Sequence, residues 1–127
     1  PPGTGDVQLS IAQKVPVTGA VIVSTPQNVA LADVKKSIDM FRRVNIPILG
    51  LVENMSYFRA PSGEQMPLFP KGDLDAYLDQ EHIAKLGTLP FFQGLAQGAE
   101  IGIPFIETNA SDEVAETFRQ IAKKMIP

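Results

Sequence analysis

Residues 19–53 read GAVIVSTPQNVALADVKKSIDMFRRVNIPILGLVE. The first six residues are a continuous β-branched apolar run, and ILGLVE (residues 48–53) is a second. Runs apolar on both faces suit strands buried on both sides, as in a parallel sheet covered by helices. Between them Leu31, Val34, Ile38 and Phe41 recur at spacings of three and four, which predicts one apolar helix face. Thr25 is placed to cap that helix and Pro26 to occupy its first position. Arg42 and Arg43 fall near its C-terminus, where they favour the helix dipole. Strand, helix, strand at this spacing is a right-handed βαβ unit.

Downstream, a helix is expected over residues 74–84 and a third short strand over LGTLP (residues 86–90). The last helix is strongly marked. Asn109 or Ser111 is placed to cap it, Asp112 and Glu113 lie in its first turn, and Lys123 and Lys124 in its last. Val114, Phe118, Ile121 and Met125 are expected to line its inner face. The alternation predicts an α/β fold of three layers, a mostly parallel sheet flanked by helices. Three strands make a narrow sheet, so one apolar edge is expected to stay unpaired and to favour self-association.

Upstream, the chain opens on PPGTGD (residues 1–6), which reads as the bend after a strand, with Asp6 capping a helix over residues 6–13. The strand itself is not in the chain, so residues 1–127 are expected to be the C-terminal part of a longer nucleotide-binding domain. Gly3, Thr4, Gly5 and Asp6 offer unobstructed backbone N–H groups at a helix start, an arrangement that suits an anion. Asn54 ends the second strand, at the rim where open parallel sheets bind ligands. Its amide carries a donor and an acceptor, as reading a purine edge requires, and it equally suits satisfying loop backbone.

Of the 127 residues, 44% are hydrophobic and 20% charged, the balance of a globular protein. The net charge of −3 and dispersed basic residues give no nucleic-acid footprint. The pairs Lys35-Lys36, Arg42-Arg43 and Lys123-Lys124 are expected on solvated helix faces. No window is apolar enough to span a membrane, no signal peptide is recognised, and the expected location is cytoplasmic. With no cysteine there is neither a disulfide nor a thiolate ligand in the chain. His82 is the single histidine, and the acids Asp73, Asp75, Asp79 and Glu81 lack the spacing of a calcium loop, so a helix face is expected for them. Tyr57-Phe58 and Phe91-Phe92 are expected in the core or at an interface, Phe91 and Phe92 against a second subunit.

Taken together, PPGTGD, GAVIVSTPQNVALADVKKSIDMF and IPILGLVENMSYF resemble the Mrp/ApbC family of P-loop ATPases, relatives of MinD. The resemblance runs in order over residues 1–58 and more loosely through LGTLP to Gly102-Ile103-Pro104. It implies a partial P-loop NTPase (Rossmann-like) fold and a role in iron–sulfur cluster assembly or transfer. ATP and Mg²⁺ would be bound in the whole protein at a homodimer interface, and iron–sulfur proteins would be its clients. Residues 1–6 would be the switch II segment sensing the terminal phosphate. Thr25 and Pro26 would line the rim of the nucleotide site, Asn54 would contact adenine, and Pro90 would border the base.

The chain departs from the family pattern in several places. The lysine-bearing phosphate loop is not among its residues, so no ATPase activity is expected from the chain alone. Ala60 stands where relatives place the first cysteine of a C-x-x-C pair, which speaks against a cluster held by this chain. Ala96 and Glu100 replace a frequent arginine and aspartate. The alternative reading is a non-enzymatic α/β interaction module that keeps the fold without the chemistry.

Overall fold

The structure, a computed structural model, describes residues 5–126. The two apolar runs become β1 (Ala20–Ser24) and β2 (Ile48–Glu53), paired in parallel from Ala20 against Ile48 to Ser24 against Glu53. The segment between them folds as α2 (Asn28–Arg43), preceded by α1 (Asp6–Lys14). A further strand, β5 (Lys85–Thr88), pairs in parallel with β2, so the sheet order is β1-β2-β5.

Helices cover both faces of this sheet. On one side Leu31, Val34 and Ile38 of α2 pack on Ile22 and Leu51, joined by Leu74 and Leu78 of α3 (Leu74–Gln80). On the other, Ile121 of α6 (Glu113–Met125) packs on Val52, Leu86 and Leu89. A Cβ on Gly87 would stand 2.5 Å from Ile121 Cγ1, so only glycine lets α6 approach β5 this closely. Ile38 and Leu51 are fully buried, each worth about 1.5–3 kcal/mol of transfer free energy.

The remaining elements sit beyond the strand ends. A two-stranded antiparallel hairpin, β3 (Tyr57–Arg59) with β4 (Gln65–Pro67), was not legible in the sequence. Neither were α4 (Gln93–Ile101) and α5 (Phe105–Thr108). Phe92 and Phe105 meet edge to face at 5.1 Å and seat these helices against Val114 of α6.

Several expected boundaries are corrected. Pro26 does not open α2, because Gln27 is its N-cap residue. The Thr25 hydroxyl instead donates to Gln27 Oε1 at 3.3 Å, which leaves both residues in the loop. Gly5, not Asp6, is the N-cap of α1, and among the described residues no side chain caps that helix. At α6 the cap is Asp112, whose carboxylate accepts from Val114 N–H at 2.8 Å. Asn109 is diverted to Phe105 O and Thr108 Oγ1. The helix expected over 74–84 stops at Gln80, because His82 turns left-handed at φ 56° and reverses the chain. Met125 is 39% exposed rather than on the inner face.

Among the described residues both outer strands, β1 and β5, pair with β2 alone, so the sheet has two edges rather than the one expected; at β1 Val23 is 63% exposed. None of the residues of α1 is buried; Gln8, Ile11 and Ala12 border a cleft with β1 and α2, and Val7, Ile11 and the C-cap residue Val15 are exposed. Among the described residues, no helix is long and apolar enough to cross a membrane.

Candidate functional site

The three parallel strands end on one rim, and backbone hydrogen bonds stitch the loops there together. Asn54 N–H donates to Ser24 O at 2.7 Å, which ties the end of β2 to the end of β1. Leu89 N–H donates to Glu53 O at 2.8 Å and Ser56 N–H to Leu89 O at 3.0 Å, which ties the same turn to the end of β5. Between these ties Met55 is held left-handed at φ 53°. A non-glycine residue there costs on the order of 1 kcal/mol and persists only where its surroundings over-determine it.

A charged network lies beneath this turn. Lys85 Nζ stands 3.1 Å from Glu53 Oε1 and 2.5 Å from Asp75 Oδ1 of α3. The other oxygen of Glu53 accepts from the Ser56 hydroxyl. Burial on its own would lower the Lys85 pKa, but the bonds to Asp75 and Glu53 outweigh it and hold the ammonium above its ordinary value. Pro26, Glu53, Ser56, Lys71, Asp75 and Lys85 border an opening of about 380 Å³. The acids expected on a plain helix face are thus divided, since Asp75 turns to the rim while Glu81 pairs with Arg42 at 3.4 Å.

A second cluster fastens the hairpin. Arg59 Nη1 lies 2.7 Å from Asp112 Oδ1, and its guanidinium sits 3.9 Å above the Phe92 ring. The Arg59 bond holds the Asp112 carboxyl below its usual range, with help from Val114 N–H. Burial, with Glu113 nearby, pushes the Tyr57 hydroxyl up. Ala60, Pro61, Ser62, Phe91, Gly94 and Glu113 border a cleft of about 840 Å³ beside this cluster. Phe92 is core; Phe91 is 41% exposed. No sequence signal pointed to Arg59 or Lys85, since a single cation between apolar residues has no periodicity to mark it.

The candidate residues from the sequence fall out as follows. Gly3 and Thr4 lie outside the described residues. Gly5 is half-buried at the start of α1 and Asp6 is exposed. Gln8, in the first turn of α1, borders the same apolar cleft as Ser24 and Thr25. Thr25, Pro26 and Asn54 are half-buried along one rim, and the Asn54 amide has no side-chain partner among the described residues. Pro90 is fully buried and presents no side-chain surface to that rim. Among the described residues no three potential metal ligands converge.

A parallel sheet covered on both faces, with loops gathered at its strand ends, is the architecture of the nucleotide-binding α/β proteins. A nucleotide-binding protein from Archaeoglobus fulgidus, solved in complex with ADP, has this fold. It superposes with a TM-score of 0.69 at 39% identity, over 80% of this chain and 42% of its own. Residues 1–126 match the ParA family model, described as NUBPL iron-transfer P-loop NTPase, and the chain belongs to that family. It is similar to the iron-sulfur cluster carrier protein of Aquifex aeolicus, 48% identical over 97% of this chain and 34% of the relative. The Escherichia coli carrier protein is 41% identical over 98% of this chain and 34% of its own length. The iron-sulfur cluster transfer protein NUBPL of Dictyostelium discoideum is 43% identical over 99% and 39%. The chain therefore spans about a third of the length of the first two of these relatives.

Proposed function

We propose that residues 1–127 form the C-terminal part of one ATP-binding domain, contributing its phosphate-sensing bend and its base-reading rim to an iron–sulfur cluster carrier of the P-loop NTPase type. Gly3, Thr4, Gly5 and Asp6 would face the phosphates with backbone N–H groups at the start of α1. Thr25 and Pro26 would border the nucleotide, and Asn54 would pair donor to acceptor with the adenine edge. Pro90, sealed beneath the rim, would back the base site rather than touch the ligand.

The observation that carries this reading is the Asn54 amide, without a side-chain partner among the described residues, on a turn tied to β1 and to the end of β5. A residue that merely satisfied loop backbone would spend its side chain on a neighbour, and among the described residues Asn54 does not.

ATP with Mg²⁺, a homodimer, iron–sulfur client proteins and a cytoplasmic location complete the proposal. Among the described residues no three carboxylate or imidazole groups converge on a metal, so Mg²⁺ would be held chiefly by the nucleotide phosphates and by residues outside this chain. A cluster carried as cargo would need thiolates from outside this chain, which has none. The test is titration of the complete natural polypeptide carrying these residues with a fluorescent ADP analogue, wild type against Asn54→Ala. We expect about tenfold weaker binding in the variant, the loss of one well-oriented polar contact. Unchanged affinity would remove Asn54 from the nucleotide site, and no binding by either protein would favour the interaction module without nucleotide chemistry.

A further inference from the structure

We propose that Lys85 is a positioning residue for Asn54, acting through Glu53 and Ser56 to hold the base-reading amide in place; this deepens the function proposed above and rests on it. Asn54 and Met55 are the only two residues between Glu53 and Ser56, and the Glu53 carboxylate accepts from the Ser56 hydroxyl across them. The other oxygen of that carboxylate is held by Lys85 at 3.1 Å, and Lys85 is anchored in turn by Asp75 at 2.5 Å. The turn is thereby clamped to α3, an element outside the three strands.

Two features give the clamp a role beside the backbone ties. Met55 occupies a left-handed conformation, which is unfavourable for a residue other than glycine. The Asn54 amide has no side-chain partner among the described residues to orient it, so its direction is set by the backbone of the turn. A free ammonium beside the rim would read as an anion site. Here Lys85 is 28% exposed and engaged by two carboxylates, so its charge is directed into the protein. The clamp fixes orientation, and orientation is what distinguishes adenine, with an amino donor at its edge, from guanine, with an oxygen acceptor there.

The experiment compares ADP, GDP and inorganic triphosphate binding to the complete natural polypeptide carrying these residues. The variants are Lys85→Met, Lys85→Arg, Glu53→Gln and Asn54→Ala. Lys85→Met is expected to lower the preference for ADP over GDP about fivefold to tenfold, through lost ADP affinity and with triphosphate binding unchanged. Lys85→Arg, which keeps the charge, is expected to restore most of the preference, as a merely structural role would not require. Glu53→Gln cuts the same link from the turn itself and reports it if Lys85→Met fails to fold. If the wild type prefers ADP, Asn54→Ala abolishes that preference, and neither Lys85→Met nor Glu53→Gln changes it, the clamp is wrong while the role of Asn54 stands. If the wild type shows no preference, or Asn54→Ala leaves it intact, the reading of Asn54 falls and the clamp with it.

Discussion

Arg59 Nη1 lies 2.7 Å from Asp112 Oδ1 across 53 positions of sequence, and the same carboxylate oxygen caps α6 through Val114 N–H. One oxygen thus joins the β3–β4 hairpin to the start of the last helix. Asp112→Ala should cost about 1–2 kcal/mol, the cap supplying roughly 1 kcal/mol and the half-exposed ion pair the remainder. Urea denaturation checks this, with Arg59→Ala and the double variant closing a cycle that isolates the pair.

The same carboxylate sets a pH dependence. Its folded pKa lies below the ordinary 3.8, so its contribution is complete above pH 3.8 and is lost as pH falls through the folded value. The stability gap between wild type and Asp112→Asn should therefore shrink in acid below that point. A gap that widened on acidification would contradict the assignment.

Gly87 tests the packing of α6 on the sheet. Replacing it with alanine puts a Cβ 2.5 Å from Ile121 Cγ1, against the branched stem of a buried side chain. Overpacking of this kind costs about 1–3 kcal/mol. Chemical denaturation of Gly87→Ala should show a lower midpoint, and Gly87→Ala combined with Ile121→Ala, which removes the clashing carbon, should cost less than the sum of the two single changes.

The open edge of β1 should be sticky. Val23 is 63% exposed on a strand with one partner among the described residues, and α1 has no buried residue. The 127-residue chain on its own is expected to self-associate with rising concentration in light scattering. Val23→Lys, a charge of the kind that guards natural edges, should suppress this. A monodisperse monomer at high concentration would show that the edge is already protected.

The parallel core was legible because its strands are buried on both faces and its helices carry the apolar period. ILGLVE became β2 without adjustment, and the Leu31–Val34–Ile38 face lies buried as expected. Boundaries were less legible, because side chains at helix starts are claimed by tertiary partners. Asp112 won the cap at α6 since Arg59 also holds it there, and Asn28 spends its side-chain oxygen on Asp73 N–H at 2.8 Å. The β3–β4 hairpin escaped notice because its three-residue strands are too short to show alternation, and β4 is exposed. At the site, Asn54 was visible as a polar residue closing an apolar strand. Lys85 was not, because its importance lies in Glu53 and Asp75, which approach it only in three dimensions.

Isolated, the chain is expected to hold nucleotide feebly. Millimolar ATP should leave its melting temperature unmoved, since ligand stabilisation follows concentration over affinity. A rise of several degrees would mean that the described loops hold nucleotide without further help.

Mapping ADP-induced backbone amide shifts on the complete natural polypeptide tests the location of the site most directly. The account predicts the largest shifts among residues 1–127 at Thr25, Asn54 and Ser56, along the rim where β1, β2 and β5 end, and at Gly5 at the start of α1. Shifts gathered instead at the opposite end of the sheet, around Gly19, Ile46 and Ala84, would contradict it.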